Sequence, residues 1–243
     1  MRYLINMTYD GSKYYGYQIQ KNKNTVQGEL EKILSKIFNE QIKTTGSSRT
    51  DKGVHALNQF CHFDTDKKMN TSKLKNSINK LSSTSLYIKN IKQVSDEFHA
   101  RYNVEKKTYI YKINLGEYNP IEKDYVLQYN KNIDKELLNI YCSKISGTHN
   151  FKSFTSDKDK QNYERTVNIT YTITKKILTI KFESTGFLRY MIRNIIGLLL
   201  DINDDKKQIS DIDKIFKEKD RTKCGKCAEA SGLYLSEVIF NGR

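Results

Sequence analysis

A stretch of small polar residues in the first quarter of the chain carries the side chains best suited to chemistry. It reads GSSRTDKGVHALNQF from Gly46 and places one acid, Asp51, two residues after Arg49. A neighbouring guanidinium favours an ionised carboxylate, which can attack an electrophilic carbon such as the anomeric carbon of a nucleoside or C6 of a pyrimidine. The same composition suits an ordinary tight turn from Thr50 to Gly53, with its charged residues paired and glycine last as in a type I turn. Both interpretations are open at this point.

The charge of the chain favours a polyanionic partner. There are 42 Lys and Arg residues against 28 Asp and Glu, a formal net charge of +14, while 37% apolar residues suffice for a buried core. Such a surplus favours nucleic acid above other partners, although a lysine-rich, generally solvated surface would give the same number. Lysines neutralise phosphates and tyrosines stack on splayed bases. The candidates for RNA binding near the N-terminus and the acidic loop are Lys13, Lys21, Lys23 and Lys52, interleaved with Tyr14, Tyr15 and Tyr17.

The cysteines and histidines do not predict a metal site. Cys224 and Cys227 form one C-x-x-C pair, but a structural zinc site needs a second pair of ligands. The two other cysteines are isolated, and the four histidines form no ligand pattern. The sequence therefore predicts neither a metal nor another cofactor.

The chain lacks the marks of secretion or of membrane insertion. Its N-terminus has no basic segment followed by an apolar stretch and a cleavage site. The longest apolar run, 191–200, is interrupted by Arg193 and is too short to span a bilayer. With only four cysteines, the expected compartment is the reducing cytoplasm.

Periodicity predicts the elements that must position these residues. In the first half, strands are expected at 3–9, 42–45, 59–64 and 86–94. Helices are expected around Val26, Leu30, Ile33 and Ile37, and around Leu74, Ile78 and Leu81. Asn24, with Gln27 three residues on, is the expected start of the first helix.

The second half repeats this mixture. Strands are expected at 108–115, 165–174, 177–183 and 232–240, with a Lys-Lys turn between the second and third. Helices are expected around 133–145, 187–200 and 209–216. The order predicts an α+β fold of two similar subdomains, 1–104 and 105–243, each an antiparallel sheet with helices on one face. A junction near 101–107 and a shared basic cleft are expected, because clefts between domains are common binding sites.

Several stretches of the chain form a pattern that extends in order along nearly all 243 residues. The most specific is SSRTDKGVHALNQFCHFD, and the others are YDGSKYYGYQIQ with TVQGELEKIL, FHARYNVEKKTYIYKI, GTHNFKSF, FLRYMIRNIIGLLL, and KDRT followed by GLYLSEVIF. With these stretches the chain resembles the TruA family of tRNA pseudouridine synthases. The resemblance implies isomerisation of uridine to pseudouridine at positions 38, 39 and 40 in the anticodon stem-loop of tRNA, by a homodimer without a cofactor.

The resemblance also implies roles for individual residues. Asp51 would be the catalytic nucleophile, and Arg49 would occupy the space that the flipped-out nucleotide leaves. Tyr109 would stack on the target uracil and could take part in proton transfer, Arg193 would pair with Asp51, and Leu233 would pack against the base.

Further substrate contacts are hypotheses. Lys13, Lys52 and Tyr17 are assigned to RNA binding, and His55 either orients the loop, touches a phosphate or simply packs. Three residues depart from the family pattern, namely Ser48, Lys52 and Tyr17, and none of them removes a catalytic group.

Two alternatives to this function stay open, and a third is disfavoured. A noncatalytic RNA-binding protein could keep the same fold, and a synthase could have a wider specificity that includes ribosomal RNA. A phosphate-handling enzyme is disfavoured, because the spacing from Gly46 onward does not match the P-loop pattern.

Overall fold

The computed structural model describes residues 1–158 and 160–242 and shows a mixed α+β protein. Five α-helices and ten β-strands lie in these residues. The chain forms two compact units, of which the first comprises Met1–Lys107 with Tyr234–Arg243 and the second Thr108–Leu233. The first unit is therefore built from both ends of the chain.

The first unit is a sheet that carries two helices. Its strands lie in the order β4-β1-β3-β10, with β2 paired to β3. The strands are β1 (Arg2–Tyr9), β2 (Thr44–Gly46), β3 (His55–Asp64), β4 (Leu86–Val94) and β10 (Leu233–Phe240). The helices are α1 (Val26–Phe38) and α2 (Thr71–Leu81).

The predicted helix α1 is confirmed, but its start is one residue later than expected. Thr25 is the N-cap, and its hydroxyl oxygen accepts a hydrogen bond from the Gly28 amide. A threonine in this position satisfies one of the amides that a helix leaves unpaired at its N-terminus. The prediction of Asn24 as the start is wrong, because the Asn24 side-chain amide donates to the Lys13 carbonyl oxygen instead.

The second unit contains three helices and the remaining strands, except that the first part of β5, up to Lys107, belongs to the first unit. Its main strands lie in the order β5-β9-β8-β7, with β6 beside β5. The strands are β5 (Val104–Asn114), β6 (Leu127–Gln128), β7 (Gly147–Asn150), β8 (Glu164–Thr174) and β9 (Ile177–Ser184). The helices are α3 (Lys135–Ile145), α4 (Met191–Asn203) and α5 (Asp211–Glu218).

The turn between β8 and β9 is confirmed as a Lys-Lys turn. Lys175 and Lys176 both have positive φ, +49° and +66°. Positive φ at both central residues is typical of a type I′ turn, whose twist matches that of the two strands it connects.

Two details of the sheets differ from the prediction. Strand β10 is parallel to β3, with Tyr234 opposite His55, and β6 is parallel to β5. The prediction of wholly antiparallel sheets is wrong for these pairs, since such pairing joins segments that are not linked by a tight turn.

Helix α4 also differs, because it begins at Met191 and not near residue 187. Tyr190, directly before it, is in the left-handed region with φ +61°, so the helix cannot extend further back.

Each helix in the part of the chain that the structure describes is too short or too polar to span a bilayer.

Candidate active site

Asp51 lies on the loop Ser47–Val54, which connects β2 to β3 and is called the aspartate loop below. The Val54 amide donates to the Asp51 carbonyl oxygen at 3.1 Å, so the tight turn runs from Asp51 to Val54. Gly53 is its third residue with φ +82°, a conformation that type II turns require and glycine adopts readily. The predicted turn with Gly53 in last place is wrong by one residue.

Buried polar groups hold the start of the aspartate loop. The Ser47 amide donates to the Phe60 carbonyl oxygen at 2.7 Å, and the Ser47 hydroxyl donates to Gln59 Oε1 at 2.8 Å. Gln59 Nε2 in turn donates to the Ser48 carbonyl oxygen at 2.9 Å. Gln59 is fully buried, and sequence reasoning did not single it out.

The middle of the aspartate loop is held through Thr50. Its hydroxyl shares a 2.8 Å hydrogen bond with the Tyr9 hydroxyl, and its carbonyl oxygen accepts from the Tyr17 amide at 3.1 Å. Burial raises the pKa of Tyr9 to about 12, so this hydroxyl stays protonated at neutral pH. A Cβ on Gly16, which has φ +97°, would lie 2.8 Å from the Thr50 carbonyl oxygen. The main chain at Gly16 thus comes so close to the aspartate loop that only glycine fits at this position.

Tyr17, one of the residues assigned to RNA binding, is buried in the structure. Tyr17 is 2% exposed, and its ring comes so close to Gly46 that a Cβ there would lie 2.5 Å from Tyr17 Cε1. A buried ring has no free face to offer to a base, so the prediction of stacking by Tyr17 is not supported by its position.

His55 is buried as well, which favours its orienting role over a phosphate contact. Its Nδ1 accepts a hydrogen bond from the Gly11 amide at 3.1 Å and lies 3.3 Å from Asp10 Oδ1. Its ring stacks on Tyr234 with the centroids 4.6 Å apart. The imidazole therefore fixes the residue at which the aspartate loop becomes strand β3.

An exposed cationic surface borders the aspartate loop. Lys23 Nζ and Lys52 Nζ lie 4.6 and 4.5 Å from the centroid of the Tyr15 ring, which is 41% exposed. Arg49 and Lys13 are exposed too. Of the three tyrosines in this segment, Tyr15 alone has a largely accessible ring, because the other two are buried.

In the second unit, the sequence predicted Tyr109 and Leu233 as contacts of the target base. Tyr109 lies on β5, and its ring packs edge-on against Phe187 at a centroid distance of 5.3 Å. Leu233 is the first residue of β10, and its amide donates to the Ala230 carbonyl oxygen at 2.9 Å. Both side chains are at least nine-tenths buried.

Arg193 stands in the first turn of α4 and is fixed to the chain segment Cys224–Ala228. Its Nε donates to the Ala228 carbonyl oxygen at 2.7 Å, and the Ala228 amide donates back to the Arg193 carbonyl oxygen at 3.0 Å. The guanidinium carbon lies 5.3 Å from the centroid of the Tyr190 ring. These contacts fix the direction of the side chain through its Nε.

Arg221 anchors the same segment to α4. It donates from Nη1 to the Gly225 carbonyl oxygen at 2.9 Å and from Nη2 to Asn194 Oδ1 at 2.7 Å. Asn194 follows Arg193 in the helix, so two neighbouring residues of α4 bind this segment. Sequence reasoning gave Arg221 no role, although this residue lies in the stretch KDRT on which the resemblance partly rests.

The C-x-x-C pair, Cys224 and Cys227, does not form part of a metal site among the described residues. Cys224 is buried, which raises its thiol pKa to about 12, whereas Cys227 is exposed. Within residues 1–158 and 160–242, no three His, Cys, Asp or Glu side chains lie together in a way that could hold a metal ion.

Comparison with known proteins identifies the family. The family described as "tRNA pseudouridine synthase" matches residues 5–103 and 142–241 of the chain, which include the aspartate loop and α4. The chain belongs to the tRNA pseudouridine synthases. The resemblance inferred from the sequence motifs is confirmed.

Relatives within the synthase family match the chain from end to end. A "tRNA pseudouridine synthase A" of Dictyoglomus thermophilum is 38% identical over 240 residues, which cover 97% of this chain and 98% of the relative. The protein of the same name from Mycoplasma genitalium is also 38% identical over 240 residues, 98% of each chain. A "tRNA pseudouridine synthase A 2" of Bacillus cereus is 36% identical over 244 residues, 98% of this chain and 99% of the relative.

Proposed function

We propose that the protein isomerises uridine to pseudouridine in tRNA, with Asp51 as the nucleophile. The observation that carries this proposal is the aspartate loop, in which buried hydrogen bonds to Ser47, Ser48 and Thr50 hold a partly exposed carboxylate. A loop of this kind pre-organises a reactive group before the substrate arrives. The family to which the chain belongs supports the same chemistry.

The reaction needs no net redox change and no group donor. The target nucleotide is first extruded from its stack, at a cost on the order of a few kcal/mol. The Asp51 carboxylate attacks C1′ of the ribose or C6 of the uracil, and the N1–C1′ bond breaks. The uracil rotates and C5 bonds to C1′. The bond to the Asp51 carboxylate then breaks and restores the free carboxylate, while the proton lost from C5 is balanced by one taken up at N1.

The other residues take supporting roles in this proposal. Arg49 fills the space of the extruded nucleotide, Tyr109 stacks on the uracil and assists proton transfer, and Leu233 packs against the base. Arg193 pairs with the Asp51 carboxylate and keeps it ionised, since an opposite charge favours the charged form.

The substrate site is proposed to be the anticodon stem-loop at positions 38, 39 and 40. Exposed Arg49, Lys13 and Lys52 are available for phosphates, and contacts of this kind make binding weaken steeply with salt. A basic cleft between the halves 1–104 and 105–243, a homodimer and a cytoplasmic location complete the proposal. Ribosomal RNA as a further substrate is a second possibility that the assay below can include.

The experiment compares the protein with Asp51→Asn and with Asp66→Asn, an exposed aspartate outside the loop that serves as control. Each is incubated with unmodified tRNA, and pseudouridine is mapped chemically. We expect product at the anticodon stem-loop from the unchanged protein and from Asp66→Asn, none from Asp51→Asn, and similar tRNA binding by all three.

Two other outcomes would change the proposal. Product from Asp51→Asn at the full rate would remove the nucleophilic role of Asp51. Binding without product from any of the three proteins would favour the noncatalytic RNA-binding alternative.

A further inference from the structure

We infer that Lys107 is a positioning residue that holds the aspartate loop, and with it Asp51, in the geometry that the reaction requires. The inference rests on the proposed role of Asp51. Lys107 lies on β5, two residues before Tyr109, and it is 56 positions away from Asp51 in the sequence (107 − 51).

The geometry shows a direct bond from this lysine to the base of the loop. Lys107 Nζ donates to the Ser47 carbonyl oxygen at 2.7 Å, and the contact is partly buried. The Ser47 amide and hydroxyl already have Phe60 and Gln59 as partners. Lys107 therefore satisfies the last polar group of a serine that is 1% exposed.

The bond also completes a pair of restraints on successive carbonyl groups. Lys107 fixes the carbonyl of Ser47, and Gln59 fixes the carbonyl of Ser48. With two successive carbonyl groups fixed, little rotation is left to the peptide units that lead into Arg49 and Asp51. The loop has no regular secondary structure of its own to set these directions.

The partly buried ammonium of Lys107 costs free energy of folding, so stability by itself does not explain a lysine at this position. Burial, with a contribution from Arg101, lowers the pKa of Lys107 to about 8. Its hydrogen bond goes to a carbonyl rather than to a carboxylate, so no full opposite charge in that bond offsets the desolvation of the ammonium. A strong charge-assisted hydrogen bond to the loop is what this residue supplies in return.

The consequence for catalysis follows from distance. A nucleophile reacts efficiently only when it is held close to its target in the right direction, and displacements of about 1 Å cost on the order of 100-fold in rate. Loss of the Lys107 bond should therefore lower kcat while leaving tRNA affinity nearly unchanged, because the RNA contacts lie on other side chains.

The test uses Lys107→Met, which keeps the length of the side chain without its charge, and Lys107→Arg, which restores a donor. Lys67→Met is the matched control, because Lys67 Nζ also donates to a backbone carbonyl of the first unit, that of Phe38 at the end of α1. We measure kcat, KM for tRNA, tRNA binding and thermal stability of the full-length protein.

We expect Lys107→Met to lose on the order of 10- to 100-fold in kcat, with tRNA affinity within about twofold of the unchanged protein. Lys107→Arg should recover a large part of the loss, and Lys67→Met should keep full kcat even if its Tm falls. An unchanged kcat in Lys107→Met would overturn the inference, as would an equal kcat loss in Lys67→Met.

Two further arms keep the test decisive. If Lys107→Met does not fold, Lys107→Gln replaces it, since the amide is neutral and its reach to Ser47 is shorter. The Asp51→Asn variant is measured in parallel. If it is fully active, the proposed nucleophilic role of Asp51 fails. If it is inactive and Lys107→Met is fully active, only the role of Lys107 fails.

Discussion

The two units carry their proposed catalytic side chains on different kinds of scaffold. Asp51 stands on an irregular loop. Side chains from elsewhere in the first unit, namely Tyr9, Gln59 and the half-buried Lys107, bind the loop's backbone and hydroxyl groups. Arg193 stands on α4, a helix that satisfies its own backbone and is buried along most of its length. A loop depends on its polar supports, whereas a helix depends on its packing.

Helix α4 lies very close to the chain segment Cys224–Ala228 at Gly197. A Cβ at this position would overlap the Lys226 carbonyl oxygen, which belongs to the segment that binds Arg193 through Ala228. The obstacle is backbone and cannot rotate away. The same closeness that leaves no room for a side chain holds Arg193 in place.

The largest effect is expected from Gly197→Ala. The added methyl group must push Cys224–Ala228 away from α4, and overpacking of this kind costs about 3 kcal/mol of stability. We expect the denaturant midpoint to fall and the Arg193–Ala228 hydrogen bond to be lost, with kcat reduced in the protein that still folds. The measurement is chemical unfolding together with single-turnover kinetics.

Gly186→Ala is the matched control for this substitution. A Cβ on Gly186 would meet nothing within 4 Å, so this variant should keep both stability and activity. If the two alanine variants proved equally stable, α4 would not depend on its packing, and the contrast between the units would fail.

The next effect is expected from Gln59→Leu in the first unit. Leucine keeps most of the volume but leaves the Ser47 hydroxyl and the Ser48 carbonyl without their buried partner, a loss of about 2 kcal/mol. Because the aspartate loop then loses the restraint on the Ser48 carbonyl, kcat should fall more than tRNA affinity does. The control is Gln93→Leu, on the exposed side of β4, which should change neither stability nor kcat. A Gln59→Leu protein with reduced stability and unchanged kcat would show that the loop keeps its shape without this support.

The smallest effect concerns the response of the first unit to acid. His62 on β3 accepts a hydrogen bond from the Ala100 amide through Nδ1. Burial above all, with Arg2 and His99, lowers its pKa from 6.5 to about 4, whereas Asp64 acts in the opposite direction. Between these two values the unfolded chain binds more protons than the folded chain, so stability falls as the pH drops from 6.5 towards 4.

His62→Asn tests this pH dependence, because asparagine keeps an acceptor for Ala100 but does not titrate. The stability of the unchanged protein should fall more steeply than that of the variant as the pH drops from 7 to 4.5, as measured by urea unfolding. Parallel stability curves would show that His62 does not contribute. Above pH 7, where the imidazole is neutral in both states, the difference between the two curves should no longer change with pH.

Much of the fold was predictable from local patterns. Strands β1 and β4, the Lys-Lys turn and the apolar faces of α1 and α2 follow from periodicity and turn chemistry, which act over a few residues. Element ends were less predictable. The starts of α1 and α4 depend on the Thr25 cap and on the positive φ of Tyr190, which single-residue contacts decide.

The residues proposed for the candidate site could be named from the sequence, but the side chains that support them could not. The signature around Asp51 and the presence of Tyr109 and Arg193 could be read in order along the chain. The burial of Tyr17 could not be predicted from the sequence, because the same tyrosine-rich segment contains the exposed Tyr15 and the buried Tyr17. Exposure depends on which neighbours cover a ring, and those neighbours are distant in sequence.

The sequence by itself determined the family, the acidic loop and the basic charge, because short motifs and composition are local properties of the chain. Only the tertiary structure decided that β10 pairs with β3 in the first unit and that Gln59 and Lys107 bind the aspartate loop. The reason is physical. Backbone carbonyls of an irregular loop need partners, and the folded chain supplies them from residues that no local pattern connects to the loop.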